Sequence, residues 1–318
     1  MSRPGDAAAT PSPFRLAAVL TAAVLAISLA AIFTRLAGAP GVVVALWRMA
    51  FATVLIAPAG VRALLRSPPS WRAVGPALLA GVLLGVHFAT WLSSLTYTTV
   101  AASVTLVTTF PIWVALFGWI GGTRPTRGVL AGLGVAILGG TAIGFGDLHG
   151  GSAPLLGDAL ALVGAISVAG YFLLGRSAQR SGLSTAAYGA IAYATAALVL
   201  VPLPALLQVP YLSWPADTWL WIAAMALAPQ LVGHTGLNWA NRFLDPTVVA
   251  TVTLLEPIGA GLMAWLLFAE VPGPLVLVGA PVLLTGVAMV VRFRRREVRV
   301  ASVTRSPALG TNQENLLE

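Results

Sequence analysis

A series of apolar runs separated by short linkers constrains the fold of this chain more than any other feature. Ten runs reach about 20 residues, the length that a helix needs to cross a bilayer. Only 9% of the residues are charged, whereas soluble domains carry about 25%. The sequence therefore predicts an all-α integral membrane protein with ten transmembrane helices. The predicted spans, numbered 1 to 10, are Phe14–Leu36, Val42–Val61, Trp71–Ser93, Thr98–Ile120, Gly128–Phe145, Leu155–Leu174, Thr185–Leu207, Thr218–Ala240, Pro246–Phe268 and Gly273–Val291.

The arginines predict the orientation of the chain. With the N-terminus in the cytoplasm, 16 of the 18 basic residues, all arginines, lie in or beside cytoplasmic segments, as the positive-inside rule requires. Residues 1–13 are then a cytoplasmic tail, and 293–318 form a second one. Its arginines suit a lipid-headgroup anchor, and we expect disorder after Val300. This placement argues against a nucleic-acid partner despite the net charge of +8.

The second half of the chain repeats the first. Identical residues recur in the same order at offsets between 139 and 147 positions. Spans 1–5, within residues 14–146, therefore correspond to spans 6–10, within residues 155–292. Because five is odd, the second unit enters the membrane from the opposite side, which predicts an inverted repeat of the kind found in many secondary transporters. The recurring pairs are Ser28 and Ser167, His87 and His234, Thr105 and Thr251, Pro111 and Pro257, Gly132 and Gly279, and Gly139 and Gly286.

An acid and a proline interrupt span 9 near its middle, at Glu256 and Pro257. Proline cannot donate a backbone hydrogen bond, so the carbonyl of Thr253 loses its helical partner. Both features are unfavourable at this depth unless they face a cavity or a polar partner. Glu256 can exchange a proton, since desolvation favours a neutral carboxyl group, or pair with a substrate ammonium or Arg48. A structural hydrogen bond at the proline is the alternative.

Four stretches of the sequence resemble a known family. Leu-Glu-Pro at 255–257, Leu-Trp-Arg at 46–48, His-Phe-Ala-Thr-Trp at 87–91 and Thr-Thr-Phe-Pro at 108–111 resemble bacterial EamA-type members of the drug/metabolite transporter superfamily, and the likeness covers about residues 14–292. It implies a carrier of amino acids, other metabolites or drugs, often an exporter, in the cytoplasmic (inner) membrane of a bacterium. The first repeat departs from the second at a telling place, where Phe110 stands in the position of Glu256.

Five further residues place polar or aromatic groups inside the apolar spans. Arg48 can bind a substrate carboxylate with its planar fork, reach the outer interface, or join helices through Glu256. His87 and Trp91 share one face of span 3, and His234 and Asn238 share one face of span 8, because they are four positions apart. These pairs suit alternating gates or the two mouths of one path. Hydrogen bonding between helices is the structural alternative for the histidines.

Hydroxyl residues and two prolines complete the candidate site. Hydroxyl groups can satisfy carbonyls that a proline frees, or bind a ligand. The alternative for the serine is helix packing, which small residues favour. We expect the prolines to kink spans 4 and 9 and act as hinges. The hydroxyl candidates are Ser28, Tyr171, Thr108 and Thr253, and the hinge candidates are Pro111 and Pro257.

Together these features favour a secondary active transporter that exports amino acids or related zwitterionic metabolites by alternating access. A proton-coupled drug or toxic-compound efflux pump is the main alternative, and a channel or receptor-like membrane protein is a remote one. No catalytic constellation, nucleotide-binding loop or metal-ligand spacing is found, so we expect no enzyme activity, cofactor or metal. The expected partners are a small-molecule substrate, the lipid bilayer and protons as a candidate coupling ion. Glycines in spans 5 and 10 are compatible with a monomer or a homodimer.

Overall fold

The computed structural model describes residues 11–98, 103, 106–144, 152–256, 258–259, 262, 266 and 274–305. All secondary structure in this part of the chain is helical. A π-helical segment, Ala226–His234, joins α10 to α11, and a 3-10 turn, Thr253–Leu255, follows α12. The α-helices are α1 (Pro13–Ser28), α2 (Ala30–Ala37), α3 (Gly41–Arg66), α4 (Trp71–Tyr97), α5 (Phe110–Ile120), α6 (Arg127–Gly144), α7 (Pro154–Arg180), α8 (Thr185–Leu200), α9 (Pro202–Leu206), α10 (Ala216–Met225), α11 (Thr235–Asn241), α12 (Pro246–Val252) and α13 (Pro274–Arg305).

Within the described residues, six helical segments are long and apolar enough to cross a membrane. They fall on predicted spans 1, 2, 3, 6, 7 and 8, which confirms the all-α membrane class. Four shorter apolar helices fall on spans 4, 5, 9 and 10, so the count of ten crossings stays a prediction. The six long segments are Pro13–Ala37, Gly41–Arg66, Trp71–Tyr97, Pro154–Arg180, Thr185–Leu206 and Ala216–Asn241.

Helices α6 and α13, on predicted spans 5 and 10, pack through contacts that equivalent residues of the two repeats form. A Cβ atom added to Gly139 would lie 2.3 Å from the backbone nitrogen of Leu283. A Cβ atom added to Gly286 would lie 2.2 Å from the backbone nitrogen of Ala136. The second contact is the first with each half's residue replaced by its counterpart 147 positions away. Since partner numbers fall along α13 as they rise along α6, the equivalent helices are antiparallel, which an inverted repeat requires.

The same interface bears on whether the protein is a monomer or a homodimer. Gly139 and Gly286 each lie against the backbone of the other helix of the same chain. They therefore bring spans 5 and 10 together within one molecule and are not free to contact a second copy. Whether the protein is a monomer or a homodimer stays a prediction.

Helices α4 and α7 form a second long antiparallel contact between the halves. A Cβ atom on Gly157 would lie 2.6 Å from Cβ of Thr98, at one end of the contact. A Cβ atom on Gly170 would lie 2.6 Å from Cδ1 of Leu83, at the other end. Glycines therefore let these backbones approach closely, as in other membrane bundles. The α4 residues between these contacts are thereby held against the second half of the chain.

Helical geometry changes at three places that border the centre of the bundle. A two-residue turn at Thr108 and Thr109 precedes α5, and Pro111 lies in the first turn of that helix, where proline removes no intrahelical bond. Pro111 thus begins a helix after a turn and does not kink a continuous one. The 3-10 turn at Thr253–Leu255 occupies the equivalent place in the second half. Pro257, the second hinge candidate, lies outside the described residues.

The C-terminal helix extends further than predicted. We expected disorder after Val300, but α13 continues to Arg305. No glycine or proline after Gly286 interrupts this helix, and both residue types would disfavour it. Residues 1–10 and 306–318, which are most of the predicted N-terminal tail and half of the C-terminal one, lie outside the described residues.

Candidate functional site

A cavity of about 50 Å³ lies between the two halves of the chain. The first half contributes Arg48, His87, Trp91 and Thr108 to the wall. The second half contributes His234, Thr253 and Glu256. The structure therefore brings most of the residues singled out in the sequence to one place, although five different predicted spans carry them.

Arg48 is completely buried in α3 and lines the cavity. Its Nε donates a hydrogen bond to Oε1 of Gln230 at 2.9 Å, and its guanidinium carbon lies 4.1 Å from the ring centroid of Phe88. A desolvated cation–π contact stabilises by about 2 kcal/mol, whereas burying a charge costs several kcal/mol. Arg48 therefore helps to join helices, but through Gln230 and Phe88 and not through a direct ion pair with Glu256.

His87 is held in a fixed orientation on the first-half side of the cavity. Its Nδ1 donates to the backbone carbonyl of Gly164 on α7 at 2.9 Å. Its ring stacks on Trp91, with centroids 5.6 Å apart and planes 18° apart. Because Nδ1 carries the proton in this bond, Nε2 of a neutral ring is an acceptor. The predicted helix-to-helix hydrogen bond is thus present for His87, which also lines the cavity.

His234 occupies the equivalent position in the second half but has different surroundings. It is the last residue of the π-helical segment, and its ring lies edge-on to Phe88 and Tyr171 at 5.4 and 6.3 Å. Its Nδ1 has no hydrogen-bond partner among the described residues. Sharp local departures from α-helical geometry of this kind are frequent at functional sites.

Tyr171 and Asn238 lie behind His234 and do not line the cavity. Both are buried, and Nδ2 of Asn238 donates to the Tyr171 hydroxyl at 2.5 Å. The same amide lies 3.4 Å from the hydroxyl of Tyr193, which shares a hydrogen bond with Thr235 at 2.9 Å. These two candidates therefore form a buried polar cluster beside the cavity.

Glu256 lines the cavity directly after the 3-10 turn and is half-buried. Its backbone carbonyl accepts a hydrogen bond from the hydroxyl of Ser28 at 3.1 Å, which fixes span 9 against α1. Ser28 is buried, makes this bond between helices and stays out of the cavity wall. The hydroxyl of Thr253 donates to the carbonyl of Ala250 at 2.7 Å, inside the same stretch.

Phe110, the counterpart of Glu256 in the first half, also lines the cavity. Its ring stacks on Phe172 of α7, with centroids 5.7 Å apart and planes 13° apart. Equivalent positions of the repeat thus place an aromatic ring on one wall and a carboxyl group on another.

The groups that hold Arg48 were not predicted from the sequence. Gln230 lies in the π-helical segment directly after Pro229, and its amide is completely buried. A polar residue beside a proline in the middle of an apolar run was a usable signal, the same one that marked Glu256. Phe88 carried no such signal, because an aromatic residue in an apolar helix is ordinary.

A bundle of long apolar helices in two repeats, with a cavity between them that an arginine, a glutamate and two histidines line, is typical of a membrane transporter. The chain belongs to the EamA-like transporter family, whose model matches residues 15–145 and 155–292. The resemblance noted in the sequence is confirmed. A solved crystal structure is 19% identical, covers 90% of this chain and 99% of its own chain, and superposes with a TM-score of 0.72, which supports the fold alone. None of the curated proteins compared with the sequence matches it.

Proposed function

We propose that the protein is a secondary active transporter that exports amino acids or related zwitterionic metabolites across the bacterial cytoplasmic membrane by alternating access. The observation that carries the proposal is the placement of opposite charges in one cavity. Arg48 comes from the first half and Glu256 from the second, and both side chains line the same cavity. A cavity with one base and one acid suits a small molecule that carries both charges.

The packing of the two halves supports alternating access. Equivalent helices meet antiparallel at Gly139 and Gly286, and the turns before α5 and after α12 border the cavity from both halves. In transporters with inverted repeats the site lies at the repeat interface, and movement of one unit against the other opens it to alternate sides. Ten crossings with both termini in the cytoplasm belong to this proposal.

Efflux of a cationic drug, coupled to protons, is the second candidate function. Glu256 faces the cavity without a direct ion pair to Arg48, and aromatic side chains such as Phe110, Phe172 and Trp91 also line it. A carboxyl group beside aromatic rings suits an organic cation, since aromatic faces attract cations. In that case the carboxyl group would bind either the proton or the cation.

Transport by the purified protein in liposomes tests both candidates. Liposomes loaded with a mixture of standard amino acids, or with the cation ethidium, are followed with and without an imposed pH gradient. Saturable, protein-dependent movement of amino acids supports the first function, and ethidium movement that requires the pH gradient supports the second. If neither kind of solute moves under any gradient, the transporter proposal fails.

Glu256→Gln tests the role of the carboxyl group within this assay. We expect transport to fall at least tenfold, roughly the 1.4 kcal/mol of one lost charge-assisted bond, with insertion and thermal stability retained. Asp217→Asn is the matched control, because it removes an exposed carboxyl group in the first turn of α10. Transport by Glu256→Gln at the wild-type rate across pH would exclude the carboxyl group from substrate binding and coupling.

A further inference from the structure

Three side chains that line the cavity carry a buried nitrogen atom without a hydrogen-bond partner in the described part of the chain. The atoms are Nη1 of Arg48, Nε1 of Trp91 and Nδ1 of His234. The first two can only donate, and the histidine nitrogen donates in one of its two neutral tautomers. Buried donors without an acceptor are unfavourable and rare in native proteins. Three of them around one cavity indicate that the cavity receives a group that accepts hydrogen bonds.

The charge of Arg48 also lacks a direct counter-charge. The side chain is completely buried, it makes no ion pair with another described residue, and its Nε donates to the neutral amide of Gln230. A buried charge without a partner is far more costly than a buried neutral group. A water molecule in the cavity would accept hydrogen bonds but leave this charge uncompensated. An anion would supply both the acceptor and the opposite charge.

Glu256 lines the same cavity but does not contact the guanidinium. Its backbone carbonyl accepts from Ser28, which holds this stretch against α1 and away from α3. An ionised carboxyl group in the cavity would repel a second anion, whereas a neutral one could donate a hydrogen bond to it. Ionised Glu256 and a bound anion are therefore competitors for the field of Arg48.

The size of the cavity limits the anion to a small one. Its volume is about 50 Å³, and a single water molecule needs roughly 10–15 Å³. The space admits a monatomic ion with a few water molecules, and in this conformation it excludes an amino acid. The substrate of the proposed transporter needs a wider arrangement of the same helices, which alternating access would provide.

Two of the donors are held in place by neighbouring side chains. The ring of Trp91 stacks on His87 with planes 18° apart, and Nδ1 of His87 donates to the carbonyl of Gly164 at 2.9 Å. The guanidinium carbon of Arg48 lies 4.1 Å from the ring centroid of Phe88. Because both side chains are already ordered, little conformational freedom is lost when an ion binds, which favours affinity.

We infer that the cavity binds a chloride ion between Arg48 and Trp91 in the conformation that the structure shows. His234 adds a hydrogen bond from Nδ1. The ion compensates the charge of the buried guanidinium while no substrate is bound. This site goes beyond the proposed function and does not depend on which substrate the protein carries.

Thermal unfolding of the purified full-length protein tests for the site. Sodium chloride and sodium bromide are each titrated against sodium gluconate at constant sodium concentration and pH. Gluconate is the control because it has the same charge but is too large for the cavity. We expect the unfolding temperature to rise with the logarithm of the halide concentration, as for a ligand that binds only the folded state. Equal unfolding temperatures in chloride and gluconate overturn the inference.

Anomalous scattering from bromide locates the ion. Crystals of the protein grown in sodium bromide should show an anomalous peak in contact with Nη1 of Arg48 and Nε1 of Trp91. Stabilisation by halide together with bromide peaks only on the protein surface overturns the inference.

Trp91→Phe removes one donor while keeping an aromatic ring against His87. We expect its dissociation constant for chloride to rise about tenfold or more, the effect of losing a hydrogen bond to a charged group. Trp113→Phe is the matched control, because Nε1 of Trp113 is also buried without a partner among the described residues, yet Trp113 does not line the cavity. Equal chloride affinity in the two variants overturns the assignment of Trp91.

Two charge variants separate the inference from the proposed function. Arg48→Gln should abolish stabilisation by chloride, and Glu256→Gln should bind chloride at least as tightly as the wild type although its transport falls. If Arg48→Gln does not fold, Trp91→Phe and the bromide position decide the question. Amino-acid transport without chloride binding refutes only the inference, and chloride binding by a protein that moves no solute refutes only the transporter proposal.

Discussion

Substitution of Gly139 tests the packing on which the inverted repeat depends. A Cβ atom at this position would lie 2.3 Å from the backbone nitrogen of Leu283, 2.7 Å from its Cα, and 2.8 Å from the carbonyl oxygen of Gly279. Carbon atoms in good contact are about 3.5–4.0 Å apart. Because the opposing atoms belong to the backbone of α13, no side chain can rotate away. In Gly139→Ala, the two helices must therefore separate by roughly 1 Å along part of their contact.

This separation sets the expected loss of stability. Overpacking in a close interface costs about 1–3 kcal/mol, and a gap of 0.5–1 Å forfeits roughly a quarter to a half of each dispersion contact. We expect Gly139→Ala to lower the unfolding temperature in detergent, which is measured by size-exclusion chromatography after heating. Gly134→Ala is the control, because the same helix exposes this glycine and an added Cβ meets nothing within 4 Å.

The local symmetry of the contact makes a stricter prediction. Gly286→Ala should destabilise to a similar degree, because its Cβ would meet the backbone of Ala136 at 2.2 Å. Once the helices have separated for one substitution, the second needs little further movement. The double variant should therefore be less destabilised than the sum of the single variants, by about 0.5 kcal/mol or more. The symmetric close contact would be refuted if Gly139→Ala were as stable as Gly134→Ala. It would also be refuted if the stability losses of the two single variants simply added in the double variant.

Three other features can be tested separately: the acceptor for Arg48, the orientation in the membrane and the end of α2. Gln230→Leu should destabilise by about 1–3 kcal/mol in thermal unfolding, because Nε of Arg48 loses its acceptor while remaining buried; an unchanged unfolding temperature contradicts this. The chain has no cysteine, so Ser67→Cys and Gln208→Cys can be labelled in intact cells with a membrane-impermeant reagent. Only Gln208→Cys should react from outside, and the reverse result would invert the proposed orientation. Gly38→Ala should cost about 1 kcal/mol in the same unfolding assay, since Gly38 ends α2 with φ of 59°; wild-type stability would show that the left-handed conformation is not required.

Single charges in apolar helices could be read from the sequence, but their partners could not. Arg48 and Glu256 stand out because an ionised side chain is rare within a membrane span. The acceptor for Arg48 lies 182 positions away, and pairing at that separation depends on how two helices rotate against each other. Equal spacing placed Asn238 on the face of His234, yet only His234 lines the cavity. Periodicity predicts a shared face but not the depth at which each side chain ends.

The positions of backbone irregularities could likewise be predicted from the sequence, but their form could not. The proline at 257 and its counterpart at 111 indicated interruptions in spans 4 and 9, and the described residues before them contain a turn and a 3-10 segment. The π-helical segment at Ala226–His234 was not predicted. Its one sequence signal is Pro229, because a shift in hydrogen-bond register has no composition of its own. Proline marks where a helix changes, and packing decides what replaces it.

The two halves share their architecture and differ in their chemistry. Equivalent histidines line one cavity, but His87 is bound to the carbonyl of Gly164 while Nδ1 of His234 has no partner among the described residues. At another pair of equivalent positions the first half has Phe110 and the second has Glu256. A perfectly symmetric cavity would present the same group to both ends of a substrate. At these two pairs of positions the polar or unpaired group lies in the second half, whereas the buried arginine, Arg48, lies in the first. The site is therefore chemically asymmetric although the helices around it are related by the repeat.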